Sequence, residues 1–510
     1  MYPQEKLCIM IPLQKQKDKI TLSMALLSVG ILYITSLKND LVADDWVFVY
    51  PHSFLETFAY FYKSIIPPEW KAQFLRPVPM FLFWLDTKIW PGTVWGPHLI
   101  NILFHVINMY LIWSLVRFMK SETKTRPNDV NGGLPALAAS MAYGMHPLAV
   151  GSVAWVSARF DVLVVTFGLF GLLIWLRWDA GLIKGGKAIA GALLLLLTAL
   201  LSKEQGIVFI IACGFVSLIR LIRTKKLDHH FFAFAALILL IVFYMIYRFI
   251  IFKGLGGYLF AFYGPSIKIP FYYFCAVLFP FLNASPDWVF SWTLALSMLV
   301  LAVTFMIMWN MVSVGKNKYL LFPFIAMVIF IAGLLTTAPY SWMTLDKVLY
   351  HLESRYALIP VVGFALLTGF FVHMVIRSFF IHRIVLVMTF IMGVAGAWRS
   401  DVQIQSWGKA GLIADNIISQ TLELVPNPPP GSHLIFVDIP RITPQYAYVF
   451  GIGLAEALKY KYGRTDITVI RYPKKRDVRT ANPERDYVFQ YHPPTGRLEV
   501  QDIAELKVRK

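Results

Sequence analysis

Apolar residues come in blocks of about 20, and this constrains the chain more than anything else in it. About 20 helical residues are what it takes to cross ~30 Å of hydrocarbon. Blocks of this kind cover roughly 20–37, 97–118, 134–150, 160–177, 187–202, 206–223, 231–252, 288–311, 319–337, 356–376 and 382–398. A twelfth run, 270–283, is short and contains Pro270 and Pro280. In lipid every backbone N–H and C=O must find its partner within the protein, so such segments form helices. The expected fold class is therefore a polytopic α-helical membrane protein with about 11–12 transmembrane helices. Composition agrees: 57% of the 510 residues are hydrophobic and 15% are charged, whereas soluble domains carry about a quarter charged residues.

The net charge of +18 does not require nucleic acid. Lys and Arg collect in the cytoplasmic loops of membrane proteins and face anionic lipid there. Lys6, Lys15, Lys17 and Lys19 put the N-terminal segment in the cytoplasm. Alternation then places 38–96 outside, and Lys120, Lys124 and Arg126 inside. It also leaves Lys184 and Lys187, then Arg220, Arg223, Lys225 and Lys226, inside. Lys316, Lys318, Arg377, His382 and Arg383 follow the same rule only if 253–287 does not cross. The run 270–283 is therefore expected to be interfacial or re-entrant. The first apolar run lacks a small-residue cleavage site and reads as a retained helix. Cys8, Cys213 and Cys275 are scattered, so no disulfide framework or cysteine metal site is implied.

Two domains are expected: a membrane domain, 1–398, and a small extracytoplasmic α/β domain, 399–510. The tail has strand-like runs at His433–Ile439, Asp466–Arg471 and Tyr487–Tyr491, and a helical pattern over Pro444–Tyr462. The first outer loop, 38–96, carries aromatic runs at Phe54–Tyr62 and Phe81–Trp84, as expected of short amphipathic helices lying on the membrane. The glycines of 253–287 (Gly254, Gly256, Gly257) mark a candidate cover.

Charged groups near the outer ends of the helices need a reason. Asp44 and Asp45 are adjacent carboxylates beside a membrane surface, where like charges repel and burial costs solvation. A helix cap is the competing account. His98, Asn101, His105 and Asn108 lie on one helical stripe, which fits either a site or a polar seam between helices. Arg159 and Asp161 follow His146-Pro147 and can be a local ion pair. Lys203-Glu204 can be a charged helix end. Arg355-Tyr356, preceded by Glu353, opens a helix from outside, against the usual bias of basic residues. Arg76 stands alone before Pro77. Together Asp44, Asp45, Asp161, Lys203, Glu204 and Arg355 map to the outer face, beside lipid, as a site for an anionic lipid and a hydroxyl would.

The ordered set Asp44-Asp45-Trp46, Arg76-Pro77, His98…Asn101…His105…Asn108, His146-Pro147…Trp155-Val156-Ser157-Ala158-Arg159-Phe160-Asp161, Ser202-Lys203-Glu204 and Arg355-Tyr356…Pro360 resembles the polytopic GT-C glycosyltransferases. The likeness is to the protein O-mannosyltransferase-like enzymes of family 39 and the transmembrane-tetratricopeptide O-mannosyltransferases, over about 20–400. The chain departs from the latter in having no tetratricopeptide array. The resemblance implies transfer of a sugar from a polyprenyl-phosphate donor (dolichyl or undecaprenyl) to a hydroxyl outside the cytoplasm, with inversion. It implies Asp44 or Asp45 as catalytic base, Asp161 as a second-loop acidic residue, and Arg355 as the binder of the lipid phosphate.

The chemistry is coherent with that set. A carboxylate taking the acceptor proton contributes about 10²–10⁴-fold. A lipid monophosphate leaving group needs cations, which Arg355 supplies with Lys203 or Arg159 as a second charge. Arg76, His98, His146, Glu204 and Tyr356 would support the site. A divalent metal, Mg²⁺ or Mn²⁺ on Asp45 and Asp161, is a further expectation. The acceptor expected is a protein or a glycan. A bacterial inner membrane, with site and tail in the periplasm, is favoured by the absence of the accessory domains of eukaryotic relatives. The alternatives are a glycan- or lipid-modifying GT-C enzyme of the cell envelope, a lipid transporter or flippase, and a non-catalytic scaffold.

Overall fold

The structure is a computed structural model. It describes residues 4–49, 53–64, 73–121, 133–225, 228–254, 256–257, 266–281, 321–340, 343–344, 347–348, 353–375, 379–474, 478 and 485–501. The span expected at 288–311 lies outside these residues, as do 255, 258–265 and 282–287 of the candidate cover.

Long apolar helices run over Gln4–Tyr33, Trp95–Ser121, Arg159–Asp179, Ile207–Thr224, His229–Phe252, Leu358–Val375 and Phe379–Leu424, with shorter ones at Gly186–Ser202 and Leu321–Leu335. Seven helical segments among the described residues are long and apolar enough to cross a membrane. Their outward faces are greasy: Met24, Leu27, Phe232, Leu239, Phe243, Ile250, Phe390 and Ile391 are all more than half exposed. Such residues are stable facing acyl chains and unstable facing water. Inside, Leu358–Val375 packs against both Leu321–Leu335 and Leu134–Gly144. A Cβ on Gly363 would stand 2.5 Å from the Phe330 backbone nitrogen, so this helix pair depends on the missing side chain to approach so closely.

Two expectations change. The run 134–150 is not one straight span. Its helix stops at Gly144, and 3-10 and single-turn segments follow at Pro147–Ala149, Val150–Val153 and Val156–Ala158. Pro147 cannot continue a helix, and the His146 side chain accepts from the Leu148 N–H and caps the new turn. The connection to the next helix is thereby folded into the protein, with Leu148, Val150, Val153 and Val156 fully buried. Second, the helix Phe379–Leu424 runs 46 residues, about 69 Å at 1.5 Å per residue. It passes through 398, where composition changes, without a break, so the change in polarity marks where the helix leaves lipid rather than where it ends.

The run 270–283 forms the helix Lys268–Leu278, of 11 residues, about 17 Å long and too short to cross ~30 Å of hydrocarbon. It is buried against Leu321–Leu335 and Leu358–Val375. The tail is an α/β unit: β1 (His433–Val437), β2 (Thr468–Tyr472), β3 (Asp486–His492) and β4 (Arg497–Gln501) lie in the order β2-β1-β3-β4, with the helix Leu454–Tyr462 between β1 and β2. β1 pairs in parallel with both neighbours, and β3 with β4 antiparallel. β4 and the β1–β3 pairing have no strong local signal in the sequence. In the first outer loop, Phe54–Ala59 starts with a Ser53/Glu56 capping box and exposes Phe54, Leu55 and Phe58, as a helix lying on a membrane does.

Candidate active site

Asp44 and Asp45 are neighbours with different surroundings. Asp45 is buried, and each carboxylate oxygen is taken. Oδ1 accepts from the Ser157 N–H at 2.7 Å and the Ser157 hydroxyl at 2.5 Å, and Oδ2 accepts from the Val42 N–H at 3.0 Å. Burial pushes its carboxyl up to about 7, against these donors. Asp45 therefore ties the first outer loop to the Val156–Ala158 turn. It is a fastening, not the open carboxylate that a base needs.

Asp44 is that open carboxylate. It is half-buried, and among the described residues its side chain has no hydrogen-bond or ion-pair partner other than its own backbone amide. Burial raises its carboxyl to about 6, and the Arg355 guanidinium is the charge that most strongly opposes the rise, with Glu353 and Glu456 adding to it. The backbone before it is strained: Ala43 has φ of +44°, a left-handed conformation that costs a non-glycine residue about 1–3 kcal/mol. The tail maintains it. The Ala43 N–H donates to Val449 O at 2.8 Å. Gly453, at φ +93°, leaves room for Ala43 O where a Cβ would stand only 1.9 Å from that oxygen.

Arg355 is fixed on several sides. Its Nε donates to Glu353 Oε2 at 2.8 Å, one end nitrogen reaches the Tyr356 hydroxyl at 3.3 Å, and the guanidinium lies 4.2 Å from the centre of the Trp155 ring. Glu353 is buried, and its other oxygen accepts from the Tyr448 hydroxyl at 2.8 Å. Burial beside that carboxylate raises the Tyr448 phenol well above its ordinary value, so it stays a donor. Trp155 in turn stacks on Trp407 at 5.1 Å and meets the Tyr448 ring at a tilt at 5.4 Å. Tyr448 and Trp407, both from the tail half of the chain, were invisible to sequence reasoning. A lone Tyr or Trp carries no signal until the fold brings it to a charged pair.

The other expected site residues separate into two groups. Near Arg355, Arg76 and Glu204 form a two-pronged ion pair at 2.6 and 3.1 Å. Lys203 is ion-paired with Asp161 and lies 4.9 Å from the centre of the Tyr356 ring. Burial pushes the Lys203 ammonium down, against the pull of Asp161. Deeper in the frame, Arg159 is corrected as a phosphate ligand. It is fully buried, paired with Asp86 at 2.5 Å, and donates to Asn101 Oδ1 and Pro97 O, both at 2.9 Å. A guanidinium with those partners has nothing left for a phosphate.

The polar stripe is a seam. Asn101 donates to Trp155 O at 3.0 Å, His105 pairs with Gly144 O at 3.1 Å, and Asn108 bonds Val162 O and Thr166. His98 is buried against the Asn39 backbone. His146 uses both ring nitrogens: Nδ1 accepts from Leu148, so Nε2 carries the proton and donates to Val277 O at 3.1 Å. Asp45 and Asp161, expected to share a divalent ion, face N–H, O–H and ammonium donors, and so do not form a ligand set.

Three segments far apart in sequence thus bring a carboxylate and a guanidinium together at one end of the helices. No family model matches the chain. A protein O-mannosyl-transferase of Caenorhabditis elegans, F38B6.6, is 27% identical over 135 residues, covering 26% of this chain and 18% of the relative. The chain resembles the GT-C glycosyltransferases. The matched segment is less than a fifth of that relative's length. Among solved structures, ArnT from Cupriavidus metallidurans bound to undecaprenyl phosphate superposes with a TM-score of 0.48 at 13% identity, over 95% of this chain and 98% of that one. Its apo form gives 0.47 at 14% identity over the same shares.

Proposed function

We propose that the protein is a membrane glycosyltransferase that moves a sugar from a polyprenyl-phosphate donor to an acceptor hydroxyl at the extracytoplasmic face. The observation that carries this reading is Asp44: an open, half-buried carboxylate whose strongest opposing charge is the Arg355 guanidinium. Asp44 takes the proton from the acceptor O–H as its oxygen bonds to the anomeric carbon. The bond from that carbon to the phosphate oxygen breaks on the opposite side, its electron pair leaves with the lipid phosphate, and configuration inverts. Arg355 holds the phosphate as its charge grows, and charge-assisted hydrogen bonds of this kind contribute ~1.5–3 kcal/mol each. Glu353 and Trp155 keep the guanidinium aimed, which limits the reorganisation needed during the reaction. No step is routed through Mg²⁺ or Mn²⁺, so chelation with EDTA is expected to leave turnover unchanged.

A protein hydroxyl, as the name of the Caenorhabditis elegans relative suggests, and a glycan or lipid hydroxyl are both acceptors for this chemistry. A bacterial inner membrane with the site in the periplasm is the setting we propose. The test uses purified protein in lipid nanodiscs with radiolabelled polyprenyl-phosphate sugars and a membrane extract of acceptors. Wild type should consume donor, and both Asp44→Asn and Arg355→Ala should lose that activity while staying folded. Donor left intact by folded wild type, with labelled lipid moved across the bilayer instead, would overturn the enzyme reading in favour of a flippase.

A further inference from the structure

A pocket of about 160 Å³ opens between the first outer loop and the tail domain; Trp46, two residues from Asp44, is in its wall, and neither Asp44 nor Arg355 lines it. Its walls include Trp46, Trp90, Tyr460 and Lys461, with Asp86 and Thr87 at its edge. Two observations locate it. Trp46 is two residues from Asp44. On the opposite wall, the helix Leu454–Tyr462 carries Glu456, whose charge acts on the Asp44 carboxylate. Tyr460 lies four residues further on, one helical turn and about 6 Å along the same face.

The aromatic wall is built in place. Trp90 caps the helix Pro77–Ile89, and its ring packs onto Gly96, where a Cβ would stand 2.3 Å from Trp90 Cγ. Trp95 meets it edge-on at 4.5 Å. Across the pocket Trp46 is held by its indole N–H to Leu41 O at 3.1 Å, with Tyr460 at 6.3 Å and the Lys461 ammonium 5.9 Å from its ring centre. Flat rings flanked by an ammonium and a hydroxyl match one ligand chemistry well, the Asp86 carboxylate in the wall being held by Arg159. A pyranose has an apolar C–H face to lay on an aromatic ring and hydroxyls around its edge. An extended peptide wants a row of free backbone groups. Among the described residues, the walls of this pocket are helices, turns and loop with no strand edge.

We infer that this pocket binds a sugar ring of the acceptor, so that the acceptor is a saccharide and its hydroxyl is delivered to Asp44 from the tail-domain side. This rests on the glycosyltransferase reading, with the ligand class read from the pocket alone. The test is saturation-transfer NMR on the full-length protein in nanodiscs, with methyl glycosides of mannose, glucose and N-acetylglucosamine and a Ser/Thr-rich peptide as probes. A parallel arm measures consumption of polyprenyl-phosphate sugar.

The expected result is binding of at least one glycoside and not the peptide. That binding should weaken about tenfold, ~1.4 kcal/mol, in Lys461→Glu and Trp90→Ala, and Trp90→Phe should restore it, which separates loss of the ring from loss of fold. No glycoside binding to folded wild type, preferential peptide binding, or glycoside binding indifferent to both substitutions would each overturn the inference. Glycoside binding without donor consumption would retain the sugar pocket and remove the transferase reading.

Discussion

Asp44 and Asp45 are adjacent but differently surrounded, and the proposed mechanism gives them different roles. Asp44→Asn removes an open base, so turnover should fall by about 10²–10⁴-fold with the melting temperature unchanged. Asp45→Asn puts an NH₂ group where a carboxylate accepted from Val42 or Ser157. It leaves a buried donor unmet, so stability should fall by about 1–3 kcal/mol, read as a lower melting temperature. The pH profile follows from Asp44. The base must be ionised, and burial raises its carboxyl to about 6, so activity should rise with pH through about 6 and be lost below it. Arg355 opposes that rise. In Arg355→Ala the acid limb of the residual activity should therefore move to higher pH, measured as rate against pH. Arg159→Met breaks a buried ion pair with Asp86 and strands a carboxylate, which costs about 3–5 kcal/mol. Its signature is lost folding rather than a raised KM for donor, checked by thermal unfolding against donor kinetics.

Among the elements, the contact between the tail and the first outer loop decides whether Asp44 is presented. Gly453 sits at φ +93° with its missing side chain directed at Ala43 O. Gly453→Ala adds both a clash and a left-handed alanine, a penalty above ~1 kcal/mol. The tail should then detach from the strained Ala43 backbone. Limited proteolysis should cut the tail faster in this variant, with activity falling in step. The helix Phe379–Leu424 gives this contact its reach. One continuous helix runs into the tail, and Trp407 on that helix stacks on Trp155.

For the whole molecule, the tail contacts the proposed site directly, through Tyr448 on Glu353 and Val449 on Ala43. Deleting 425–510 should leave a protein that still inserts in the membrane, because its apolar spans lie before 398. It should consume no donor, because Tyr448 on Glu353 and Val449 on Ala43 are gone. Membrane fractionation and donor consumption check the two halves of that statement.

The membrane class, the placement of most helices and the shortness of the 270–283 run are legible in the amino-acid order, because apolar length and the positions of prolines are local quantities. The sequence also placed three of the tail's four strands to within a few residues, missed β4, and offered Asp44 and Asp45 as the candidate base. It could not separate Asp44 from Asp45, nor take Arg159 out of the phosphate site, because each assignment depends on which donors fill a carboxylate or guanidinium. Those donors are Ser157, Asp86 and Asn101, tens of residues away along the chain. Tyr448 and the aromatic pocket were likewise beyond it. A tyrosine becomes a support for Arg355 only when folding removes the water between them, and that choice belongs to the tertiary structure.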